Sequence, residues 1–199
     1  MTNDLKKYNT LFLDRDGVIN VERKDDYVKN VSEFVFEDNA CEAIAILSRI
    51  FSRIFIVTNQ RGVGRGIMSG QELADIHSYM LDEINSKGGN ITKIYTCFDT
   101  DTDSVNRKPN VGMAFKAQGD FPDIDFKTSV LVGNSRSDIE FATKLDMYSV
   151  LVGDKYDKTD KIYKNINAYY PNLYQFALSL YSLYRNNGIQ TELNNKSIQ

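Results

Sequence analysis

Four short stretches of this chain carry side chains suited to handling phosphate and a hard cation. The first is Asp14-Arg15-Asp16-Gly17. Its carboxylates are two residues apart, which in extended chain sends both to the same side. A carboxylate can attack phosphorus and briefly carry the phosphoryl group. A second one nearby can protonate the leaving oxygen and later activate water, a contribution of about 10²–10⁴-fold. Gly17 lets the chain turn away sharply. Asp14 and Asp16 are the candidate nucleophile and general acid/base. The plain alternative is a solvated acidic turn. A calcium loop fails, because no Gly and bidentate Glu follow at the required spacing.

The second stretch, Thr58-Asn59-Gln60-Arg61, offers a hydroxyl and amides that can hold phosphoryl oxygens. The glycines at 62, 64 and 66 do not form a Walker A loop, since no Gly-Lys-Ser/Thr follows. Arg61 or Arg65 can meet a second anionic group on a substrate, or can be an exposed solubilising arginine. In Arg107-Lys108-Pro109, the compact Lys108 cation can sit between Asp14 and a phosphate and offset their repulsion. Arg107 can fork onto phosphate or a sugar hydroxyl. The fourth stretch is Gly133-Asn134-Ser135-Arg136-Ser137-Asp138. Mg²⁺ takes oxygen ligands and keeps several waters. Asp14 by its carboxylate, Asp16 by its backbone carbonyl, Asn134 and Asp138 make up the expected metal set. Asp138 also has the spacing of a capping box with Ser135, a role compatible with supporting a metal.

Each stretch follows, directly or after a polar loop, a short apolar run rich in β-branched residues. Those runs are 10–13, 54–57, 93–96 and 129–132, and a fifth lies at 149–152. They are too apolar for half-exposed strands and predict buried parallel ones. Between them lie helical patterns. Ala40, Ile44, Leu47 and Phe51 share one face, with an N-cap expected at Asp38. Leu73, Ile76, Met80 and Ile84 share another, opened by Ser69 and Glu72 at capping-box spacing and closed by Gly88-Gly89. A third helix is expected over about 136–146, and a fourth carries Leu173, Phe176, Leu180 and Tyr184. Strands alternating with helices predict an α/β fold with a central parallel sheet covered on both faces. Such sheets place ligands at the carboxyl ends of their strands, where the four stretches fall.

Together these segments resemble the haloacid dehalogenase superfamily of phosphohydrolases. The strings FLDRDGVIN, VTNQRGVGRG and NRKPNVGM are similar to its heptose-bisphosphate phosphatase and histidinol-phosphate phosphatase branch, and the resemblance spans about residues 10–152. It implies a three-layer Rossmann-like fold, Mg²⁺ dependence, Asp14 as nucleophile and Asp16 as general acid/base. It implies phosphate contacts from Thr58, Asn59 and Lys108, and substrate contacts from Arg107 and from Glu22, Arg23, Lys24 and Asp25. Two departures stand out. The superfamily usually has Asp where Asn134 stands, so a weaker metal site is expected, with Asp138 carrying more of the burden. The branch often has a zinc loop of Cys and His residues. Here only Cys97 matches, Asp99 takes the His position, and the single histidine, His77, lies elsewhere, so no zinc is expected. The loop 99–106 must be ordered by hydrogen bonds or by substrate.

Asp14 and Thr58 are 44 residues apart, and Thr58 and Lys108 are 50. A helix, a strand and a loop already fill each gap, so no separate cap domain is expected. The chain of 199 residues has 24 basic against 27 acidic side chains, a net charge of −3, and 23 Phe and Tyr to build a core. Global disorder is excluded. The longest apolar run, 43–47, is far short of the ~20 residues of a membrane span. Cys41 and Cys97 are read as reduced thiols of a cytoplasmic protein. One domain over 1–185 and a frayed polar tail over 186–199 are expected. The expected activity is a Mg²⁺-dependent monomeric phosphatase acting on a small phosphosugar. The expected substrate is a heptose 1,7-bisphosphate losing its 7-phosphate, feeding surface-polysaccharide precursor synthesis. Nucleic acid and membrane partners are not expected. Histidinol-phosphate phosphatase, polynucleotide 3′-phosphatase and a catalytically weakened phosphosugar-binding protein are the alternatives.

Overall fold

The computed structural model describes residues 8–196. Six strands form one all-parallel sheet: β1 (Thr10–Leu13), β2 (Arg53–Asn59), β3 (Lys93–Cys97), β4 (Ser129–Gly133), β5 (Tyr148–Val152) and β6 (Ala168–Tyr170). Their order is β3-β2-β1-β4-β5-β6. The helices are α1 (Ala40–Leu47), the single turn α2 (Arg61–Gly64), α3 (Gly70–Ser86), α4 (Gly112–Asp120), α5 (Arg136–Lys144) and α6 (Leu173–Lys196).

Period-two alternation along the strands divides the core. Leu11, Leu13, Ile54, Ile56, Val130, Val132, Val150 and Val152 pack on one side with α1, α3 and α6. Phe12, Phe55, Val57 and Leu131 face the other way, onto Met113, Ala114 and Ala117 of α4 and Phe141 and Ala142 of α5. Both faces are covered, which is why the strands read as unbroken apolar runs. The result is a three-layer α/β fold. Between β1 and β2, and between β2 and β3, the chain holds only loops and helices of this kind, and among the described residues no separate cap unit stands over the sheet.

From β1 the chain builds outward through β2 and β3, then returns to the other side of β1 to lay down β4, β5 and β6. That reversal opens a crevice beyond the carboxyl ends of β1 and β4. Asp14 leaves β1 and Asn134 leaves β4 at this point, and the Asp14 backbone N–H donates to Val132 O at 2.9 Å.

The capping box of Ser69 with Glu72 forms as the spacing predicts. Four local details differ. The cap of α1 is Asn39, in a left-handed conformation with φ 58°, rather than Asp38; an asparagine tolerates that conformation better than most residues. Neither α4 nor β6 is anticipated: α4 carries glycines at both ends, and β6 is only three residues long. The backbone of α6 runs to Lys196, through much of the stretch assigned to a polar tail. The side chains from 186 and all of residues 197–199 lie outside the described residues. Among the described residues no helix is long and apolar enough to cross a membrane.

Candidate active site

Lys108 sits at the centre of the crevice. Its Nζ lies 2.9 Å from Asp14 Oδ1 and 2.6 Å from Asp138 Oδ1. The Lys108 and Asp138 side chains are 1% and 0% exposed, while Asp14 is 14% exposed, so only Asp14 opens toward solvent. Asp14 Oδ1 also accepts the Arg15 backbone N–H at 2.7 Å. Burial, then the Asp138 charge, push Asp14 up to about 7, with Lys108 pulling the other way. Burial works against the Lys108 cation, but the two carboxylates outweigh it and hold its pKa above the ordinary value. Lys108 comes from a loop, and Asn59 fixes it there. Asn59 Oδ1 accepts the Lys108 N–H at 3.0 Å, and Asn59 Nδ2 donates to Lys108 O at 3.2 Å.

Asp16 is held on three sides. Its Oδ1 accepts from Arg15 Nη2 at 2.8 Å and from Asn20 Nδ2 at 3.0 Å; its Oδ2 accepts from Gln60 Nε2 at 2.9 Å. Gln60 Nε2 donates in addition to Thr58 Oγ1 at 2.8 Å. Burial opposes the Asp16 charge, yet the Arg15 cation and these donors together hold its pKa below the usual carboxylate range. Arg15 is almost fully buried. Its Nη1 lies 3.4 Å from His77 Nε2, and its guanidinium stands 6.0 Å from the centroid of the Phe34 ring. Arginine can only donate, so His77 accepts and is neutral there. Burial, then the Arg15 charge, push the His77 pKa down to about 4.

On the β4 side, Asp138 Oδ2 accepts from the Ser135 N–H at 3.0 Å and from Ser135 Oγ at 2.5 Å. The expected capping box is therefore present, and the second oxygen of Asp138 goes to Lys108. Asn134 is pressed against the β1 loop: a Cβ on Gly17, whose φ is +78°, would lie 1.8 Å from Asn134 Nδ2. Asn134 Nδ2 donates to Glu22 Oε2 at 2.9 Å, and both Glu22 oxygens lie 2.9 Å from Lys155 Nζ. Glu22, Lys24 and Asp25 line a cavity of about 600 Å³ together with Gly17, Asn134 and Lys155. Arg23 pairs with Glu33 at 2.9 Å and lines a smaller cavity of about 150 Å³ with Arg15, Asp16, Asn59 and Gln60. Among the described residues no three His, Cys, Asp or Glu side chains close on one point.

A third group flanks Lys108. Arg61, Arg65 and Arg107 stand close enough that burial, then the charges of Arg61 and Arg65, lower the Arg107 pKa from its ordinary value. Arg61 Nε and Arg107 Nη1 are buried without a hydrogen-bond partner. None of the three pairs with a carboxylate among the described residues. Arg65 Nη1 donates to Tyr27 OH at 3.3 Å. The loop 99–106 is closed on itself: Ser104 Oγ donates to Asp99, the Asp103 N–H donates to Asp101, and the Asn106 N–H donates to Ser104 Oγ.

A family model described as polynucleotide kinase 3 phosphatase matches residues 9–170. A D-glycero-alpha-D-manno-heptose-1,7-bisphosphate 7-phosphatase of Campylobacter jejuni is 34% identical over 162 residues, covering 79% of this chain and 90% of the relative. This chain is a phosphatase of the haloacid dehalogenase superfamily, in the polynucleotide kinase 3 phosphatase family. A D-glycero-beta-D-manno-heptose-1,7-bisphosphate 7-phosphatase of Neisseria meningitidis is 37% identical to the phosphatase over 131 residues, covering 65% of it and 69% of the relative. Among solved structures, the D,D-heptose 1,7-bisphosphate phosphatase of B. bronchiseptica, complexed with magnesium and phosphate, aligns with a TM-score of 0.75 at 26% identity. It covers 86% of this chain and 97% of its own.

The phosphatase thus brings Asp14, Asp16, Thr58, Asn59, Gln60, Lys108, Asn134 and Asp138 to one crevice, with Arg61 and Arg107 beside it. Sequence reasoning missed Arg15, Asn20, His77 and Lys155. Two of these had a signal. Arg15 stands between the two acids. His77 follows Leu73 by four residues and precedes Met80 by three, which turns it toward the buried face of α3.

Proposed function

We propose that this phosphatase removes the 7-phosphate of a D-glycero-D-manno-heptose 1,7-bisphosphate. The observation that carries the reading is Lys108, a buried cation held against the one carboxylate of the group, Asp14, that opens to solvent. The Asp14 carboxylate attacks phosphorus, a bond forms to its oxygen, and the bond to the sugar O7 breaks. Lys108 offsets repulsion between the two anions as they meet. Asp16 gives a proton to the departing O7. A dianionic phosphate entering beside Asp16 raises its pKa and lets it carry that proton. Water then attacks the phosphorus of the acyl phosphate, Asp16 takes the water's proton, and Asp14 is regenerated as phosphate leaves. Arg15, Asn20 and Gln60 keep Asp16 oriented through both steps.

The donor set is all oxygen, which fits Mg²⁺. Asp14 Oδ2 carries no hydrogen bond among the described residues, and neither does the Asp16 backbone carbonyl. The Asn134 amide is pressed on the same loop. Those three groups would hold the ion, and Asp138 would support the site through Lys108. When bound, Mg²⁺ supplies positive charge against the phosphoryl oxygens. The partnerless nitrogens of Arg61 and Arg107 speak for a substrate with a second anionic group, as a bisphosphate has.

The family description favours a second reading, a polynucleotide 3′-phosphatase. The net charge of −3 weighs against it, since duplex and strand binding draw on many cationic contacts. Phosphate release from both anomers of the heptose bisphosphate, from histidinol phosphate and from a 3′-phosphorylated oligonucleotide, with and without Mg²⁺, separates the cases. The heptose bisphosphate should lead in kcat/KM, only with Mg²⁺, and D14N should be inactive but folded. Preferred turnover of the oligonucleotide refutes the substrate; an active D14N refutes the nucleophile.

A further inference from the structure

Glu22 has no task in the reaction as written, yet it is tied to the site more closely than an exposed loop carboxylate needs to be. Its Oε2 accepts from Asn134 Nδ2 at 2.9 Å, across 112 residues of sequence. A carboxylate can only accept, so it selects the NH₂ end of the amide. The Oδ1 end, the only end a cation can use, is left free of Glu22. The charges nearby make this contact matter. Asp138 is spent on Lys108 and Ser135, and Asp16 on Arg15, Asn20 and Gln60. Asp14 alone keeps an uncommitted anionic oxygen, and Asn134 adds none. Glu22 is the remaining carboxylate one hydrogen bond away. Lys155 holds it there with Nζ 2.9 Å from each oxygen, and both of those side chains are more than 40% exposed.

We propose that Glu22 is a positioning residue for the divalent cation. It orients the Asn134 amide, and it restores beside that amide the negative charge an amide lacks. Lys155 is its displaceable counter-ion. Groups that hydrogen-bond to a metal ligand set its orientation and its strength as a donor, and their loss typically weakens metal binding. The inference rests on the Mg²⁺ reading above, but it concerns the ion alone and needs no substrate.

The test is titration of the apoprotein, without substrate, with Mn²⁺ followed by its EPR signal and with Mg²⁺ by calorimetry. Glu22→Ala should weaken binding by about 10–100-fold. Glu22→Gln, which keeps an acceptor and loses the charge, should weaken it less. Asn134→Asp placed on Glu22→Ala should recover most of the loss, because the charge then sits on the ligand itself. A merely structural role for Glu22 predicts no such rescue. Lys155→Met, which leaves the site's ligands intact, should tighten binding several-fold by removing the competitor. Thermal unfolding of each apoprotein reports whether it is folded. Metal affinity of Glu22→Ala within twofold of wild type overturns the proposal, and so does failure of Asn134→Asp to rescue it. A wild-type protein that binds neither ion overturns both this inference and the Mg²⁺ reading. Wild-type binding with an indifferent Glu22→Ala overturns this inference alone.

Discussion

His77 offers the sharpest test of how the Asp16 side of the crevice is held. Its Nε2 accepts from Arg15, and burial with the Arg15 charge pushes its pKa down to about 4. In the unfolded chain an imidazole titrates near 6.5. Between those two values the unfolded state binds a proton that the folded state refuses, so folding stability falls as pH falls. The contribution is fully present above pH 6.5 and is lost progressively on the way down to about pH 4. The full window of about 2.5 pH units corresponds to roughly 3.4 kcal/mol, of which about 2 kcal/mol is lost by pH 5. Gln can accept the same Arg15 N–H but does not titrate. His77→Gln should therefore cost little at pH 7.5 and should gain about 2 kcal/mol on wild type by pH 5.

The assay is urea unfolding of both proteins at several pH values, with the difference between them as the readout. Taking the difference matters, because Asp14 titrates in the same range with the opposite sign. Its folded pKa is raised to about 7, so in both proteins it favours folding below pH 4 and loses that contribution as pH rises through 7. The Asp14 contribution cancels between variant and wild type; the His77 contribution does not. A stability difference that stays flat from pH 7.5 to pH 5 would refute the buried, neutral imidazole and the Arg15 bracket built on it.

Lys108→Met leaves Asp14 and Asp138 facing each other without their shared cation. It should abolish turnover and lower stability by about 3–5 kcal/mol at pH 8. The loss should shrink at pH 6, where Asp14 takes up a proton; equal losses in urea unfolding at the two pH values would contradict the raised Asp14 pKa. Gly64→Ala puts a Cβ 2.0 Å from the Phe98 backbone oxygen. It should cost about 1–3 kcal/mol and lower the melting temperature by roughly 2–4 °C for each kcal/mol. Because Arg61 and Arg65 flank that turn, KM for the bisphosphate should rise more than kcat falls, as steady-state kinetics would report.

How much of this was legible in the sequence depends on the range of the interaction that fixes each residue. Strand ends are local: a β-branched run followed by polar residues announces them, and β1 ends just before its motif while β2 and β4 end within the first two residues of theirs. The capping boxes at Ser69 and Ser135 are local too. The partners of the amides are not. Asn59 looks like a phosphate contact by type and position, yet both ends of its side chain go to the backbone of a residue 49 positions away. Arg15 was hidden for a different reason. A charged side chain predicts exposure, and burying one requires the Phe34 ring, His77 and Asp16 to assemble around it from three segments of chain. The sheet order, and with it the crevice between β1 and β4, is likewise a long-range outcome.

One regularity joins these hidden contacts. Beside the ion pairs of Lys108 and Arg15, neutral amides fix several groups of the crevice: Asn20 and Gln60 on Asp16, Asn59 on the backbone of Lys108, and Asn134 on Glu22. A further ion pair in the same places would also fix them, but it would change the net charge of a site proposed to receive both an anion and a cation. An amide donates and accepts without adding charge, so the balance stays with Asp14, Asp16 and Asp138 against Arg15 and Lys108. Exchanging Asn59 or Gln60 for a charged residue of similar size should therefore damage this site more than exchanging it for a neutral one, even where the hydrogen bond survives.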